Sequence, residues 1–219
     1  MTAIVKAAWG LTVSALSHST DIIFGDFISG RQTPIQHIET VVGPCVNFIP
    51  LRIQLSKGLL NAELLVNVQQ DLIAAIPHES LGFRRVIRNC TDWGVDARFS
   101  SIVNFVNLEE EDSGTYNWTI DGNEESRIEV DSLYEEKQHD KTDLWLLCRR
   151  AQRPSKKLEL ESGTTDHLET TALYRNSAIE RIASLYNEAI DSLVTYLNEP
   201  VRVPRISEEE QALLVPVCN

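Results

Sequence analysis

The chain has 219 residues, a hydrophobic fraction of 42%, a charged fraction of 24% and a formal net charge of -12. That length is enough for one large domain with a real core, and the composition excludes global disorder. The acidic balance repels phosphate backbones and anionic lipid surfaces, so no nucleic-acid and no membrane partner is expected.

In chain order, residues 2–16 carry Ile4, Val5, Ala8, Trp9, Leu11, Val13 and Leu16, which predicts a helix buried on much of its surface. The helix begins with almost no lead, as in a domain entered partway. After a turn at 17–20, residues 21–30 are short, β-branched and Gly-bounded, and read as a strand. Residues 41–55 follow a polar loop. Leu51, Ile53 and Leu55 alternate there with Arg52 and Gln54, as in a half-buried strand, and Pro44 and Pro50 confine it to a sheet edge or bulge.

Leu64, Leu65, Val68, Leu72, Ile73 and Ile76 then predict a helix over 61–76. Asn61 is its expected N-cap, Glu63 suits its positive end, and Pro77 stops it. A short helix is expected over 81–89 and a strand over 101–107. Residues 109–142 are acidic, with Glu109, Glu110, Glu111, Asp112, Glu135 and Glu136; they read as a solvated loop with short strands at 116–120 and 127–130. Residues 143–148 and 157–161 suit a strand pair, and 177–198 a strongly amphipathic helix. Pro200 and Pro204 break regular structure, so 200–219 read as a linker or tail. Interspersed strands and helices of this length predict an α/β fold with a central mixed sheet flanked by helices.

The four cysteines, Cys45, Cys90, Cys148 and Cys218, are far apart and have no metal spacing, which suits reduced thiols and a cytoplasmic location. No signal peptide and no run approaching a membrane span is read. There is no GxSxG, Walker loop, GxGxxG or HExxH, and the five histidines stand alone. Residue patterns alone therefore give a globular α/β domain without a visible active site.

Four segments in order carry a resemblance. They are Ala7-Ala8-Trp9 through Asp21-Ile22-Ile23-Phe24-Gly25 to Ser29-Gly30-Arg31; Val42-Gly43-Pro44-Cys45-Val46-Asn47-Phe48-Ile49-Pro50-Leu51-Arg52; Pro77-His78-Glu79-Ser80-Leu81-Gly82-Phe83; and Asp96-Ala97-Arg98-Phe99 through Ile102-Val103-Asn104-Phe105. The set resembles the second half of condensation domains of nonribosomal peptide synthetases, and Pro44-Cys45 looks like fungal members. The resemblance implies a chloramphenicol-acetyltransferase-like lobe over residues 1–199. In the family two such lobes enclose a tunnel, where carrier proteins deliver thioesters on phosphopantetheine arms and an amide bond forms. The family's catalytic HHxxxDG string does not occur in this chain.

The resemblance further implies that Asp26, Ser29, Arg31, Asn47, Arg98 and Ser100 line the tunnel or fix its wall. Arg31 could reach a carboxylate across the cleft, and Asn47 either faces the tunnel or satisfies the sheet edge. Arg84, Arg85 and Arg88 form the densest basic cluster and are the candidate docking patch for acidic carriers, or else a solvated helix face. Gly43 is expected at a positive-φ turn, and Trp9, Phe24 and Phe105 in the core. No cofactor is expected to bind directly. The implied partners are an N-terminal condensation lobe, peptidyl carrier proteins and an adjacent adenylation domain. The alternatives are a carrier-docking module without catalysis and a stand-alone small-molecule acyltransferase, which the missing HHxxxDG disfavours.

Overall fold

A computed structural model describes residues 1–32, 34–106, 116–119, 127–130, 144–150, 158–163, 176–207 and 210. Helix α1 (Thr2–Ser17) has so few polar residues that nearly its whole circumference is buried, and His18 ends it in the left-handed conformation. Strand β1 (Asp21–Ile28) pairs antiparallel with β2 (Asn47–Gln54) and parallel with β3 (Ser101–Val106). The segment between β1 and β2 holds one 3-10 turn at Ile38–Thr40.

Helix α2 (Asn61–Ala75) runs into a 3-10 turn at Ile76–His78, and α3 (Phe83–Cys90) follows. A separate hairpin pairs β4 (Tyr116–Thr119) with β5 (Arg127–Val130). Strand β6 (Leu144–Arg150) lies parallel to β3 and antiparallel to β7 (Leu158–Gly163), and α4 (Asn176–Thr195) closes the fold. The main sheet has the order β2-β1-β3-β6-β7 and is mixed, as expected. Strand β2 sits at its edge, where Pro50 removes no needed ladder donor.

The strand register sorts side chains between two faces. Ile22 and Phe24 on β1 stand opposite Ile53 and Leu51 on β2, and Val103 and Leu146 continue that face. They meet Trp9 and Leu11 of α1, Leu64 of α2, and Leu185, Tyr186 and Leu193 of α4. Each large side chain fully buried there contributes about 1.5–3 kcal/mol. The opposite face carries a smaller cluster, with Phe27 edge-on to Phe48, and Phe99 and Ile102 buried beside Phe83. Trp9 and Phe24 are in the core, and Phe105 packs against it.

Two local expectations change. Asn61 is not the N-cap of α2. Leu60 takes that position, and its backbone N–H is capped by the Glu63 carboxylate at 2.9 Å. Asn61 is instead fully buried and donates to the carbonyls of Ser192 and Tyr196, at the end of α4. The linker expected beyond residue 199 is also not free over its described part. Asn61 and Val201 donate backbone bonds to Glu199 and Leu59, and Val201, Val203 and Ile206 pack against the core.

The acidic residues Glu109–Asp112 and Glu135–Glu136, together with Cys218, lie outside the described residues. Cys45, Cys90 and Cys148 are free thiols. Among the described residues no helix is long and apolar enough to cross a membrane.

Candidate functional site

The polar side chains converge where β1 finishes and β2 begins. Alternation puts Asp26 on the same face of β1 as Ile22 and Phe24, beneath α1. Its carboxylate is fully buried and ion-paired with Lys6 of α1 at 2.5 Å, and Lys6 is itself only 5% exposed. One oxygen, Oδ1, has no hydrogen-bond partner among the described residues. Burial pushes the Asp26 carboxyl above its ordinary range, and Lys6 opposes that shift.

Glu79, just after the Ile76–His78 turn, feels the charges of this pair. It is buried, and its carboxyl is raised first by desolvation and then by the Asp26 charge, with Lys6 pulling the other way. The turn is fastened from β2. Asn47 Nδ2 donates to the Glu79 carbonyl at 2.7 Å and the Leu81 carbonyl at 2.8 Å, while its Oδ1 accepts the Phe48 N–H at 2.9 Å. Both amide hydrogens of Asn47 are thus engaged by the backbone of that turn. Lys6 and Glu79 were not singled out from the sequence as a pair. The available signal was that a helix apolar all round leaves Lys6 no exposed face.

The other expected residues scatter. Asp26 reaches no surface of this chain. Ser29 is exposed and its hydroxyl accepts the Arg31 backbone N–H at 3.4 Å. Arg31 turns onto its own loop, donating to the carbonyls of Ile38 at 3.1 Å and of Val41 and Gly43 at 3.2 Å. Gly43 has φ 140°, the positive value expected, and open space around it. Arg98 is exposed and Ser100 half-buried at the approach to β3. Arg84, Arg85 and Arg88 are exposed on α3 and make no ion pair among the described residues.

Two open grooves exist elsewhere. One of about 520 Å³ lies between β2 and α2, and one of about 750 Å³ runs along α4 toward Arg202. Neither is lined by an expected tunnel residue. Cys148 is held beside the Tyr186 hydroxyl in the core and burial pushes its thiol up to about 11, so it is no nucleophile. No group of side chains among the described residues could hold a metal ion. The arrangement positions backbone and buries charge, and among the described residues it presents no nucleophile–base pair.

The family model for the condensation domain matches residues 1–215. The nonribosomal peptide synthetase chyA of Penicillium rubens is 30% identical over 205 residues, which are 88% of this chain and 8% of that protein. Nonribosomal peptide synthetase 1 of Aspergillus fumigatus is 44% identical over 108 residues, 49% of this chain and 2% of that protein. This chain therefore spans only a small fraction of the synthetases it matches. The crystal structure of the starter condensation domain of rhizomide synthetase RzmA superposes with a TM-score of 0.58 at 13% identity, over 92% of this chain and 44% of that one. That similarity concerns the fold, a chloramphenicol-acetyltransferase-like α/β lobe. The model match over nearly all 219 residues and the fungal relatives lead to one conclusion: the chain belongs to the condensation-domain family of nonribosomal peptide synthetases.

Proposed function

We propose that this chain is the C-terminal half of a condensation domain. It forms one wall of the tunnel in which carrier-bound acyl and aminoacyl thioesters are joined by an amide bond. The carrying observation is one of proportion: the chain aligns over 92% of itself with only 44% of a solved condensation-domain chain. The absence of an HHxxxDG string from its 219 residues fits the same reading. On this reading the histidine-bearing partner lobe supplies proton transfer and this lobe supplies position. Holding two tethered reactants in line removes much of the entropic barrier to their meeting.

The segment between β1 and β2 supports an apposed second lobe. Val42 is fully exposed, and Ile35, Val41 and Val46 are about half exposed, an apolar group that solvent alone does not favour. Arg31 stiffens that segment through its three carbonyl contacts. Its carboxylate-pairing role across the cleft belongs to the assembled domain. Asn47, Ser29, Arg98 and Ser100 hold the wall's edge, and Asp26 holds it from behind. The phosphopantetheine arm of a carrier enters as a substrate tether. Peptidyl carriers and an adjacent adenylation domain complete the assembly, which works in the cytoplasm.

The test is reconstitution. The chain is mixed with a separately produced HHxxxDG-bearing lobe and with donor and acceptor carriers loaded with their thioesters. Amide product that requires both lobes is the expected result. Carrier binding without product would instead make the chain a non-catalytic docking module, the reading favoured if the missing histidine motif is functionally final. Reversing the charge of Arg84, Arg85 and Arg88 together weakens carrier binding if α3 is the docking patch. Unchanged binding would refute that assignment.

A further inference from the structure

Strand β2 ends the main sheet, and among the described residues nothing pairs with its outer edge. The Leu55 N–H donates to the Thr20 carbonyl, which continues the β1–β2 register and fixes its parity. Odd-numbered residues of β2 exchange their bonds with β1, so Phe48, Pro50, Arg52 and Gln54 turn their backbone groups outward. Phe48 gives its N–H to the Asn47 side chain, and Pro50 has none to give. The outward donors that remain are the N–H groups of Arg52 and Gln54, with the carbonyls of Pro50, Arg52 and Gln54 as acceptors. Beside this edge lies the groove of about 520 Å³ between β2 and α2, lined by Leu51, Ile53, Leu64, Val68 and Leu72.

We propose that this groove binds an extended, basic segment of a partner protein, which adds to the outer edge of β2 and sets a lysine or arginine against Asp71. A backbone in strand conformation is the complement of donors and acceptors that alternate along one edge. Alternate side chains of such a segment face the apolar lining, and that spacing suits valine or isoleucine at every second position. The charge of the occupant follows from the ion balance of the groove. Arg52 is neutralised by a two-pronged bond to Asp21 at 2.8 and 2.6 Å. Asp71 lines the groove from α2, is exposed, and makes no ion pair among the described residues. The net charge of -12 draws a basic segment and opposes a second copy of this chain.

Pro50 limits what can add. An open edge invites any strand, and a proline in its middle removes one donor from every register. Recognition is thereby confined to the end of β2 at Arg52 and Gln54, where donors and acceptors stand together. The site needs no second lobe and no carrier, so it stands apart from the tunnel reading.

The experiment titrates the full 219-residue chain with an acetylated heptapeptide amide that alternates valine with lysine and threonine. One control carries glutamate in place of lysine, and another carries N-methyl groups throughout its backbone. The lysine peptide should bind and slow amide exchange at Arg52 and Gln54, and the N-methylated peptide should not. Pro50→Thr restores an outward donor without touching the ladder to β1, and should tighten binding roughly three- to tenfold. Gln54→Pro removes an outward donor and should weaken binding by about the same factor. Asp71→Lys should reverse the preference from the lysine peptide to the glutamate peptide. No binding of the lysine peptide, binding that ignores these substitutions, or protection located away from β2 overturns the proposal. So does sedimentation that shows β2 occupied by a second copy in place of the peptide. If Gln54→Pro fails to fold, Pro50→Thr, Asp71→Lys and the N-methylated peptide still decide it.

Discussion

Trp9 of α1 donates its indole N–H to the Ser101 hydroxyl of β3 at 3.1 Å, across 92 residues of sequence. Trp9 is fully buried and Ser101 nearly so. The bond ties the innermost helix to the middle of the sheet, and it satisfies the one polar atom of a large core side chain. Both residues are buried, so this pair tests the fold itself.

Trp9→Phe and Ser101→Ala each remove that bond and leave its partner buried without one. Each is expected to cost about 1–3 kcal/mol in urea unfolding. The double variant should cost clearly less than the sum, because the second change removes the group left unsatisfied by the first. Strict additivity would show that the contact contributes nothing beyond volume.

Gly30 and Gly43 separate two reasons for glycine in the same segment. Gly30 has φ 66°, and a Cβ there would fall 1.9 Å from the Cys45 carbonyl oxygen. Gly43 has φ 140° but nothing within 4 Å. Gly43→Ala meets backbone strain alone and should cost about 1–3 kcal/mol. Gly30→Ala meets strain and a backbone clash together, and should cost at least about 2 kcal/mol. Paired chemical denaturation of the two variants checks the order.

Regular elements were the most legible part of the fold. The apolar spacing placed the first helix at 2–16 and the last at 177–198, and they form as Thr2–Ser17 and Asn176–Thr195. Alternation through Leu51 and Ile53, with Pro50, located an edge strand. What stayed hidden was pairing between elements. Lys6 and Asp26 are 20 residues apart, and nothing local says that α1 lies over the end of β1. Period-2 reasoning continued through Ile22 and Phe24 would have put Asp26 beneath a helix rather than on an open wall. The same limit applied to the tail, where Pro200 reads as an end but bridges to Leu60. Motif order carried the family assignment, while residue roles waited on packing.

Arg31 clamps three carbonyls within the segment between β1 and β2, and it is itself exposed. Lysine presents a compact charge in place of the planar fork and cannot span the three acceptors. Arg31→Lys should leave global stability within about 0.5 kcal/mol. It should speed limited proteolysis around Ile38–Gly43 several-fold, because that segment then opens without the rest of the domain. An unchanged cleavage rate would mean that the 3-10 turn at Ile38–Thr40 holds the segment unaided.

Asn61 offers a sharper case, because its amide does what a helix C-cap residue normally does from another element. Its Nδ2 donates to the carbonyls of Ser192 and Tyr196, which also accept the backbone N–H groups of Tyr196 and Glu199. Asn61→Ala removes two buried bonds while each carbonyl keeps its backbone donor, and should cost about 1–3 kcal/mol. Asn61→Asp is nearly the same shape but reverses the chemistry. An ionised carboxylate has no hydrogen to donate and faces two acceptors in a dry site. Its folded pKa is therefore raised above the unfolded value, so the deficit grows as pH rises through that interval and shrinks in acid. Unfolding curves for the two variants at pH 5 and pH 7.5 should cross in rank. The aspartate should be the worse at neutral pH and should approach or better the alanine in acid, where a protonated carboxyl can donate one of the two bonds.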